Sequence, residues 1–280
     1  MPPGRRNNVR FLTLLAAIPA ILAAQDAREI VRRSVELDKR NSEIARNYTY
    51  LQRQELRQLD SSGKLKDSDA HTWDVMWLDG SPYRRMVLRD DHPLSAKEQK
   101  QEDEKLRKSS EERRKETAAQ RERRLADWDR RQQRQREPFK ELPDAFDFKL
   151  VGEEALNGGQ TYVIDATPKP GYKPKSSATS YFPKVKGRLW IDKNDYQWVK
   201  FEMETLDTIT FGGFLLRMAK GGRLSVEQAR INDEVWLPKR IYGKGAARIA
   251  LIKVLRGEII MTFSDYKKFQ AESHVVEPPR

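Results

Sequence analysis

The chain contains no cysteine among its 280 residues. It therefore forms no disulfide, offers no thiol for catalysis or zinc binding, and lacks the cysteine that bacterial lipoproteins acylate. Its three histidines, His71, His92 and His274, are far apart along the chain. No HExxH spacing, no GxSxG elbow and no phosphate-binding loop is present. The sequence therefore indicates no enzyme, no metal site and no cofactor.

Long apolar runs are scarce, and the one near the N-terminus is short. Residues 1–24 have the parts of a secretory signal: three arginines within residues 1–10, an apolar run at 11–22, and the small residues Ala23 and Ala24. The apolar run is too short to span a bilayer comfortably. We predict export to the periplasm and cleavage near residue 24. The mature chain then has no transmembrane segment and no lipid anchor; the alternative is an uncleaved membrane anchor.

Acidic residues are fewer than basic ones: the chain has 42 Asp and Glu and 54 Lys and Arg, which gives a net charge of +12. Such a balance is typical of nucleic-acid-binding proteins, but no helix-turn-helix, zinc-finger or ribonucleoprotein motif accompanies it, so we expect no nucleic acid. An anionic membrane surface or an acidic envelope protein fits an exported basic chain better. A soluble protein with surplus arginine is the plain alternative. The pattern does not define an oligomeric state.

Composition divides the rest of the chain into four parts. Residues 25–93 begin with apolar residues at helical spacing over 27–46 and continue into the first strands. Residues 94–137 form a charged insertion, 138–270 hold the remaining strands, and 271–280 form a tail. The sheet signals on both sides of the insertion predict one folded unit interrupted by it.

The insertion is dominated by charged residues and glutamine, with no glycine or proline from Ser95 to Glu137. These are strong helix formers, and opposite charges stand three or four apart. Large apolar residues such as Leu106 and Trp128 are too sparse for a buried stripe. We predict one or two solvated helices, broken near Ser109 and Ser110. The insertion serves as a lid or docking arm, or it is a partly ordered charged segment.

About ten short strands, with turn residues and no helices between them, predict a meandering antiparallel sheet. Predicted strands after the insertion cover 146–156, 160–167, 187–205 (a hairpin), 206–217, 222–232, 235–242, 246–255 and 257–266. Turns are predicted at Ser61-Ser62-Gly63-Lys64, Gly221-Gly222, Asn232-Asp233 and Gly243. In the hairpin, alternation places Leu189 opposite Val199 and Trp190 opposite Trp198, with Lys193–Asp195 as the loop. A loop of odd length suits Asn or Asp in the left-handed conformation, so we expect a positive φ at Asn194 or Asp195.

Several of these features resemble the LolA/LolB-like superfamily, which includes outer-membrane lipoprotein-sorting proteins and RseB-type periplasmic sensors. The resemblance rests on the signal, the first helix, the meander and these residues: Leu189-Trp190-Ile191-Asp192, Asp195, Val199, Glu202, Trp236-Leu237-Pro238 and Ser264-Asp265-Tyr266-Lys267-Lys268-Phe269. It covers residues 26–93 and 138–270. It implies an α+β fold: a half-open barrel of about 10–11 antiparallel strands curved over helices, with the charged segment inserted as a helix or helical hairpin.

The resemblance also implies a function in transport and outer-membrane biogenesis. A non-enzymatic carrier or binder of lipidated proteins, or of other hydrophobic ligands, holds acyl chains on the apolar concave face. The candidate lining residues are Leu189, Ile191, Val199, Phe201 and Met203, with Tyr48, Tyr50, Trp73 and Trp77 as weaker candidates. The alternative for all of them is core packing against the helices. A second hypothesis is an envelope sensor or scaffold that binds other proteins through its charged arm.

The segment FGGFLLRMAKGG, residues 211–222, places large apolar residues between two glycine pairs. Glycine lets the backbone bend or approach closely. Phe211, Phe214, Leu215 and Leu216 therefore predict a hydrophobic loop that touches a membrane or receives cargo, or a bent core strand.

Overall fold

The computed structural model describes the backbone of residues 19–211, 216–249 and 253–268. The helices are α1 (Pro19–Ala45), α2 (Ala96–Arg114), α3 (Ala118–Arg136) and α4 (Leu142–Ala145), with 3-10 turns at Glu137–Glu141, Ser177–Thr179 and Phe182–Lys184. The strands are β1 (Tyr48–Leu59), β2 (Leu65–Leu78), β3 (Ser81–Arg89), β4 (His92–Pro93), β5 (Phe146–Leu156), β6 (Gly159–Pro168), β7 (Val185–Asp192), β8 (Trp198–Thr205), β9 (Ile209–Phe211), β10 (Leu216–Met218), β11 (Arg223–Ile231), β12 (Val235–Ile249) and β13 (Lys253–Lys268). Within these ranges no helix combines the length and apolarity needed to cross a membrane.

The described strands form one open antiparallel sheet in the order β4-β3-β2-β1-β13-β12-β11-β8-β7-β6-β5, with β9 and β10 attached beside β12. Strand β1 lies in the middle of this order because it pairs with both β2 and β13, which joins the two ends of the chain. The predicted fold class is confirmed: a large antiparallel sheet with helices and an inserted helical hairpin. The sheet has 13 strands rather than the 10–11 expected.

The predicted turn at Gly243 is wrong, because β12 runs without interruption from Val235 to Ile249. Gly243 pairs with Leu224 on one side and with Ile259 on the other. A Cβ on this glycine would lie only 2.8 Å from Cγ2 of Ile259. The glycine therefore allows close packing within a strand, which a sequence does not distinguish from a turn.

The predicted register of the 187–205 hairpin is also wrong. Leu189 lies opposite Phe201, Trp190 opposite Lys200, and Ile191 opposite Trp198. Val199 is the extra residue of a β-bulge, so the alternation of faces is broken at this point. The connection is five residues long rather than three, and Tyr196 takes the positive φ of 58° that we expected at Asn or Asp.

The main core lies between α1 and one face of strands β5 to β8. Ala27, Ile30 and Val31 of α1 pack there against Phe148 and Ile164, with exposed fractions of 8% or less. These α1 residues recur three and four apart, so they form one apolar stripe on the helix. Helix α1 begins at Pro19, within the predicted signal; residues 1–18 lie outside the described residues, and the cleavage site stays a prediction.

The insertion forms two helices, α2 and α3, but the predicted break at Ser109 and Ser110 is wrong. Helix α2 passes through both serines, and the Ser110 hydroxyl donates to the Leu106 carbonyl at 2.9 Å, which satisfies it inside the helix. The chain turns instead before Thr117. There Thr117 and Gln120 form a capping box, in which each side chain accepts from the backbone N–H of the other.

The helical hairpin covers the edge of the sheet at β3, which β4 protects over only two residues. The Glu102 carboxylate accepts from the Met86 backbone N–H at 3.2 Å. Arg113 donates to the Leu78 carbonyl, and Arg124 donates to the Ser81 hydroxyl at 2.8 Å. Unpaired strand edges promote aggregation, so these polar contacts have a structural function.

Candidate functional site

A cavity of about 900 Å³ lies between α1, α3 and the face of the sheet that carries the main core. Its floor is apolar, and the floor residues come from strands β5 to β11 and from the loop after β6. The floor includes Phe146, Phe148, Ala166, Phe182, Val185, Leu189, Trp198, Phe201, Met203, Ile209, Met218 and Leu224. Phe146 and Phe182 pack against each other with ring centroids 5.4 Å apart. The aromatic packing gives the floor a defined shape.

The rim of the cavity is charged, and ion pairs across it join α1 to α3. Arg46 of α1 contacts Asp129 of α3 at 2.9 Å, and its guanidinium lies 4.5 Å from the ring centre of Trp128. Asp38 of α1 and Arg136 of α3 are 3.8 Å apart. Since the described part of α3 has no fully buried side chain, polar contacts of this kind and the tryptophan hold it beside α1.

Asp38 is a rim residue whose pKa differs from the ordinary value of an aspartate. Burial raises the pKa of its carboxyl above the ordinary value and outweighs the opposite effect of the Arg136 guanidinium. A carboxylate in poorly hydrated surroundings is stabilised less than in water. The cavity mouth is therefore a place where charge is poorly hydrated.

Three of the five main candidates, Leu189, Phe201 and Met203, line this cavity. Ile191 has no exposed surface and lies within the core under it. Val199 lies on the opposite face, fully buried with Val163, Trp190 and Trp236. The bulge in β8 turns Val199 away from Phe201, although the sequence places both on one alternating face.

The weaker candidates lie outside the cavity. Tyr50, Trp73 and Trp77 share the cavity face of the sheet. Phe201 is linked across the strands to Gln54 of β1 and His71 of β2 by directly opposite pairs, and the three aromatic residues lie an even number of residues from these two along β1 and β2. Tyr48 is buried under the end of α1 and donates to the Glu234 carboxylate at 2.6 Å. Trp77 donates to the Tyr48 carbonyl at 3.0 Å, and its ring meets the ring of Trp128 edge-on at 5.4 Å between centroids.

The apolar segment at 211–216 is described only at its two ends. The backbone of Phe211 ends β9 and pairs with that of Leu216, which begins β10. Phe214 and Leu215 lie outside the described residues. Contact of this segment with membrane or cargo stays a prediction.

The sequence did not identify several lining residues. Phe146 and Phe148 are two residues apart directly after the insertion, and this alternation places them on one face of a strand. Phe182 is a large apolar residue at the end of the proline-rich loop. Both signals are present in the sequence, but neither indicates a cavity. The polar side chains of α3, such as Gln132 and Gln133, give no such signal, because they line the cavity only through the way the helix docks. Among the described residues, no cluster of histidine and acidic side chains is suited to a metal ion.

No protein-family model and no curated protein matches the chain. Solved structures do align with it. A DUF1329 family protein from Desulfovibrio piger has 10% identity and a TM-score of 0.30, over 90% of this chain and 95% of its own. A putative outer membrane lipoprotein-sorting protein domain from Vibrio parahaemolyticus has 12% identity and a TM-score of 0.29, over 88% of this chain and 95% of its own.

A third structure, a LolA superfamily protein from Nitrosomonas europaea, has 12% identity and a TM-score of 0.26, over 88% of this chain and 94% of its own. At such identities and TM-scores the alignments carry no argument about function, which rests on the cavity. The alignments extend over most of this chain and over nearly all of each of these structures.

Proposed function

We propose that the protein is a periplasmic, non-enzymatic carrier or binder of hydrophobic ligands, lipidated proteins among them. Acyl chains lie in the cavity between α1, α3 and the sheet. The observation that supports this is the combination of an apolar floor, a charged rim and a volume of about 900 Å³. That volume is typical of sites for small ligands.

The chemistry of the cavity favours hydrocarbon. Each methylene group transferred from water to such a surface contributes about 0.8 kcal/mol, so an acyl chain is bound without any specific polar contact. Charged groups at the rim, among them Lys39, Arg46 and Lys140, keep a polar head group or an attached protein at the mouth. Polar contacts that hold α3 exchange readily with water, which permits release of the cargo.

The outer face of α3 favours an anionic membrane surface as a partner. Arg123, Arg131 and Arg134 are exposed there and form no ion pair with any described residue. Basic residues on one face of a helix are attracted to anionic lipid head groups. Docking through this face would bring the cavity mouth beside α3 close to the lipid.

A second candidate function is the envelope sensor or scaffold. The observation that favours it is that neither α2 nor α3 has a fully buried side chain within the described residues, so most of their charged side chains face solvent. A scaffold of this kind binds a protein partner through residues 95–137. Partner binding would then survive a change in the cavity but not a change in the exposed charges of α2 and α3.

The first test is native mass spectrometry of the mature protein purified from its own periplasm. Co-purified lipid or acylated protein supports the carrier and names the cargo class. Phe201→Glu places a carboxylate in the cavity floor, where an unpaired charge is poorly tolerated, and we expect it to abolish the bound mass. Leu65→Glu is the matched control, because Leu65 is 58% exposed and lies outside the cavity. Equal loss in both variants, or a protein that takes up no added lipid, would contradict the proposal.

A further inference from the structure

A second cavity, of about 600 Å³, adjoins the first on the same face of the sheet. Met203, Met218 and Leu224 line both cavities, so the two are chambers of one groove. We call the cavity under α1 and α3 the first chamber and the adjoining one the second chamber. The two methionines therefore lie where the chambers meet.

Met203 stands in the middle of a row of residues that are paired across eight strands and form the floor of the groove. In sheet order the row is Phe148, Ala166, Gly187, Met203, Leu224, Gly243, Ile259 and Leu56. Residues directly opposite one another share a face of the sheet, and every member of the row lines at least one chamber. The other members are hydrocarbon side chains and glycines. An oxygen atom added to Met203 would therefore enter an apolar floor, between Gly187 and Leu224, which carry no side-chain donor.

Methionine supplies all the sulfur of this chain, because cysteine is absent. A peroxide converts the methionine thioether into a sulfoxide, which turns a flexible apolar side chain into a polar one. The five methionines after Met1 are all half-buried, so a small oxidant reaches each of them: Met76, Met86, Met203, Met218 and Met261. Of these five, only Met203 and Met218 line the chambers. Oxidation at these two positions thus changes the polarity of the groove itself.

The polar group beside Met218 is not available to a sulfoxide. A Cβ placed on Gly222 would lie 3.6 Å from the sulfur of Met218 and 3.2 Å from the hydroxyl oxygen of Thr205, so these two atoms are neighbours. The Thr205 hydroxyl donates to the Ala219 carbonyl at 2.9 Å and accepts from the Gly222 N–H at 2.7 Å. Its proton is therefore already used. An oxygen on Met218 gains no hydrogen bond from this hydroxyl.

We propose that Met203 and Met218 are oxidation sites through which a peroxide switches the groove from binding to releasing its hydrophobic ligand. This rests on the proposed function of the groove. In the reaction, a lone pair of the methionine sulfur attacks one oxygen of hydrogen peroxide. The S–O bond forms, the O–O bond breaks, and the departing hydroxide takes the proton of the transferred oxygen and leaves as water. The thioether is oxidised by two electrons and the peroxide is reduced. Methionine sulfoxide reductases reverse the change.

The experiment treats the full-length mature protein with hydrogen peroxide and then offers it lysophosphatidylglycerol, a lipid with one acyl chain. Native mass spectrometry reads the added oxygen atoms and the bound lipid in one spectrum, and peptide mapping assigns the oxygen to individual methionines. Each protein is compared with its own untreated form. We expect oxidation to lower lipid retention by the wild type at least about tenfold, because a polar oxygen without a hydrogen-bond partner is costly in an apolar floor.

A matched pair of double variants locates the effect. Met203→Leu combined with Met218→Leu removes both sulfur atoms at nearly constant side-chain volume. Peroxide should change lipid retention by this variant by less than about twofold. Met76→Leu combined with Met86→Leu is the control, because these two methionines line neither chamber. The control should lose retention on oxidation as the wild type does.

Glutamine variants test the switch without an oxidant. A glutamine is about as long as a methionine and carries a polar amide, so Met203→Gln combined with Met218→Gln should lower retention by the untreated protein at least about tenfold. Met76→Gln combined with Met86→Gln is the control and should retain the lipid.

Three outcomes would overturn the switch while leaving the carrier intact. They are unchanged retention by the oxidised wild type, an equal loss in the oxidised leucine variant of Met203 and Met218, and peptide maps in which these two methionines stay unoxidised. Failure of the untreated wild type to retain the lipid would instead overturn the proposed function, and the switch with it.

Discussion

The bulge at Val199 decides which side chains of β8 face the groove. Trp198 and Phe201, three residues apart, both line the first chamber, whereas Val199 packs on the other face beside Trp190. A regular strand would place Val199 and Phe201 together. Because of this one additional residue, Trp198 rather than Val199 lines the cavity beside Phe201.

Asp38 gives a prediction for the pH dependence of stability. Because the pKa of Asp38 is raised in the folded state, the folded protein binds a proton more readily than the unfolded chain does. At pH values above this pKa the buried carboxylate therefore lowers the free energy of unfolding. As the pH falls through this pKa the carboxyl becomes protonated, and the destabilisation decreases. We expect Asp38→Asn to raise the Tm at pH 7 by about 1–2 °C. The difference from wild type should vanish towards acidic pH.

Thermal melts of wild type, Asp38→Asn and Asp147→Asn across this pH range measure the effect. Asp147 is exposed in β5 and lies outside both chambers, so it controls for the loss of one carboxylate. A lower Tm for Asp38→Asn at pH 7 would show instead that the contact with Arg136 outweighs the effect of burial.

Among the elements, α3 is the cover of the first chamber, and it is attached through few apolar contacts. Trp128 is the centre of this attachment, since it touches Trp77 of β2 and lies under Arg46 of α1. Leu125 adds a contact at Gly80, where a Cβ would be 3.1 Å from the leucine side chain. The helix is thus fixed at one end of the groove and joined to α1 by charges along it.

Trp128→Ala should loosen α3 without unfolding the sheet. The edge-on aromatic contact contributes about 0.5–1.5 kcal/mol, and the contact with Arg46 contributes about 0.5–1 kcal/mol. We expect amide hydrogen exchange in residues 118–136 to become about tenfold faster, while exchange in β7 and β8 stays unchanged. Trp73→Ala is the control, because the ring of Trp73 packs against Arg84 and His71, whereas the ring that Trp128 meets is that of Trp77. Unchanged exchange in α3 would show that its ion pairs are sufficient to hold it.

The molecule as a whole places its groove beside a basic helical face. The groove crosses the sheet from β5 to β1, and α3 covers its first chamber with arginines on the outer side. The sheet is open, with β4 and β5 as its edges. In the proposed function, the position of this one helix would couple docking on a membrane to loading of the groove.

Charge reversal on α3 tests the docking. Each basic residue near an anionic surface contributes about 1 kcal/mol, so Arg123→Glu combined with Arg134→Glu should weaken vesicle binding more than tenfold. The vesicles contain equal parts of phosphatidylcholine and phosphatidylglycerol, and co-sedimentation measures binding. Lys64→Glu combined with Lys66→Glu makes the same charge change at the far end of the β1–β2 hairpin, on exposed residues. Equal losses in the two double variants would indicate that net charge alone drives binding.

The sequence predicted the elements of the fold better than it predicted their pairing. Turns at Gly63, at Asn232 and Asp233, and at Gly221 were predicted, and each has the expected positive φ. Alternation in a single strand does not reveal a bulge, because the extra residue is defined only against its partner strand. Gly243 was predicted to be a turn for the same reason, because its role in close packing is defined only by its partner strands.

Local sequence patterns were sufficient to predict most of the helices and strands, the position of the charged insertion, and the side chains that are apolar enough to be buried, although they misplaced the break in α2 and divided β12. They did so because propensity, capping and period are local properties of neighbouring residues. The tertiary structure alone decided that Phe201 and Met203 line a groove while Ile191 lies within the core. An apolar strand face is compatible with a packed core and with an open groove. Which of the two forms depends on how far α1 and α3 lie from the sheet.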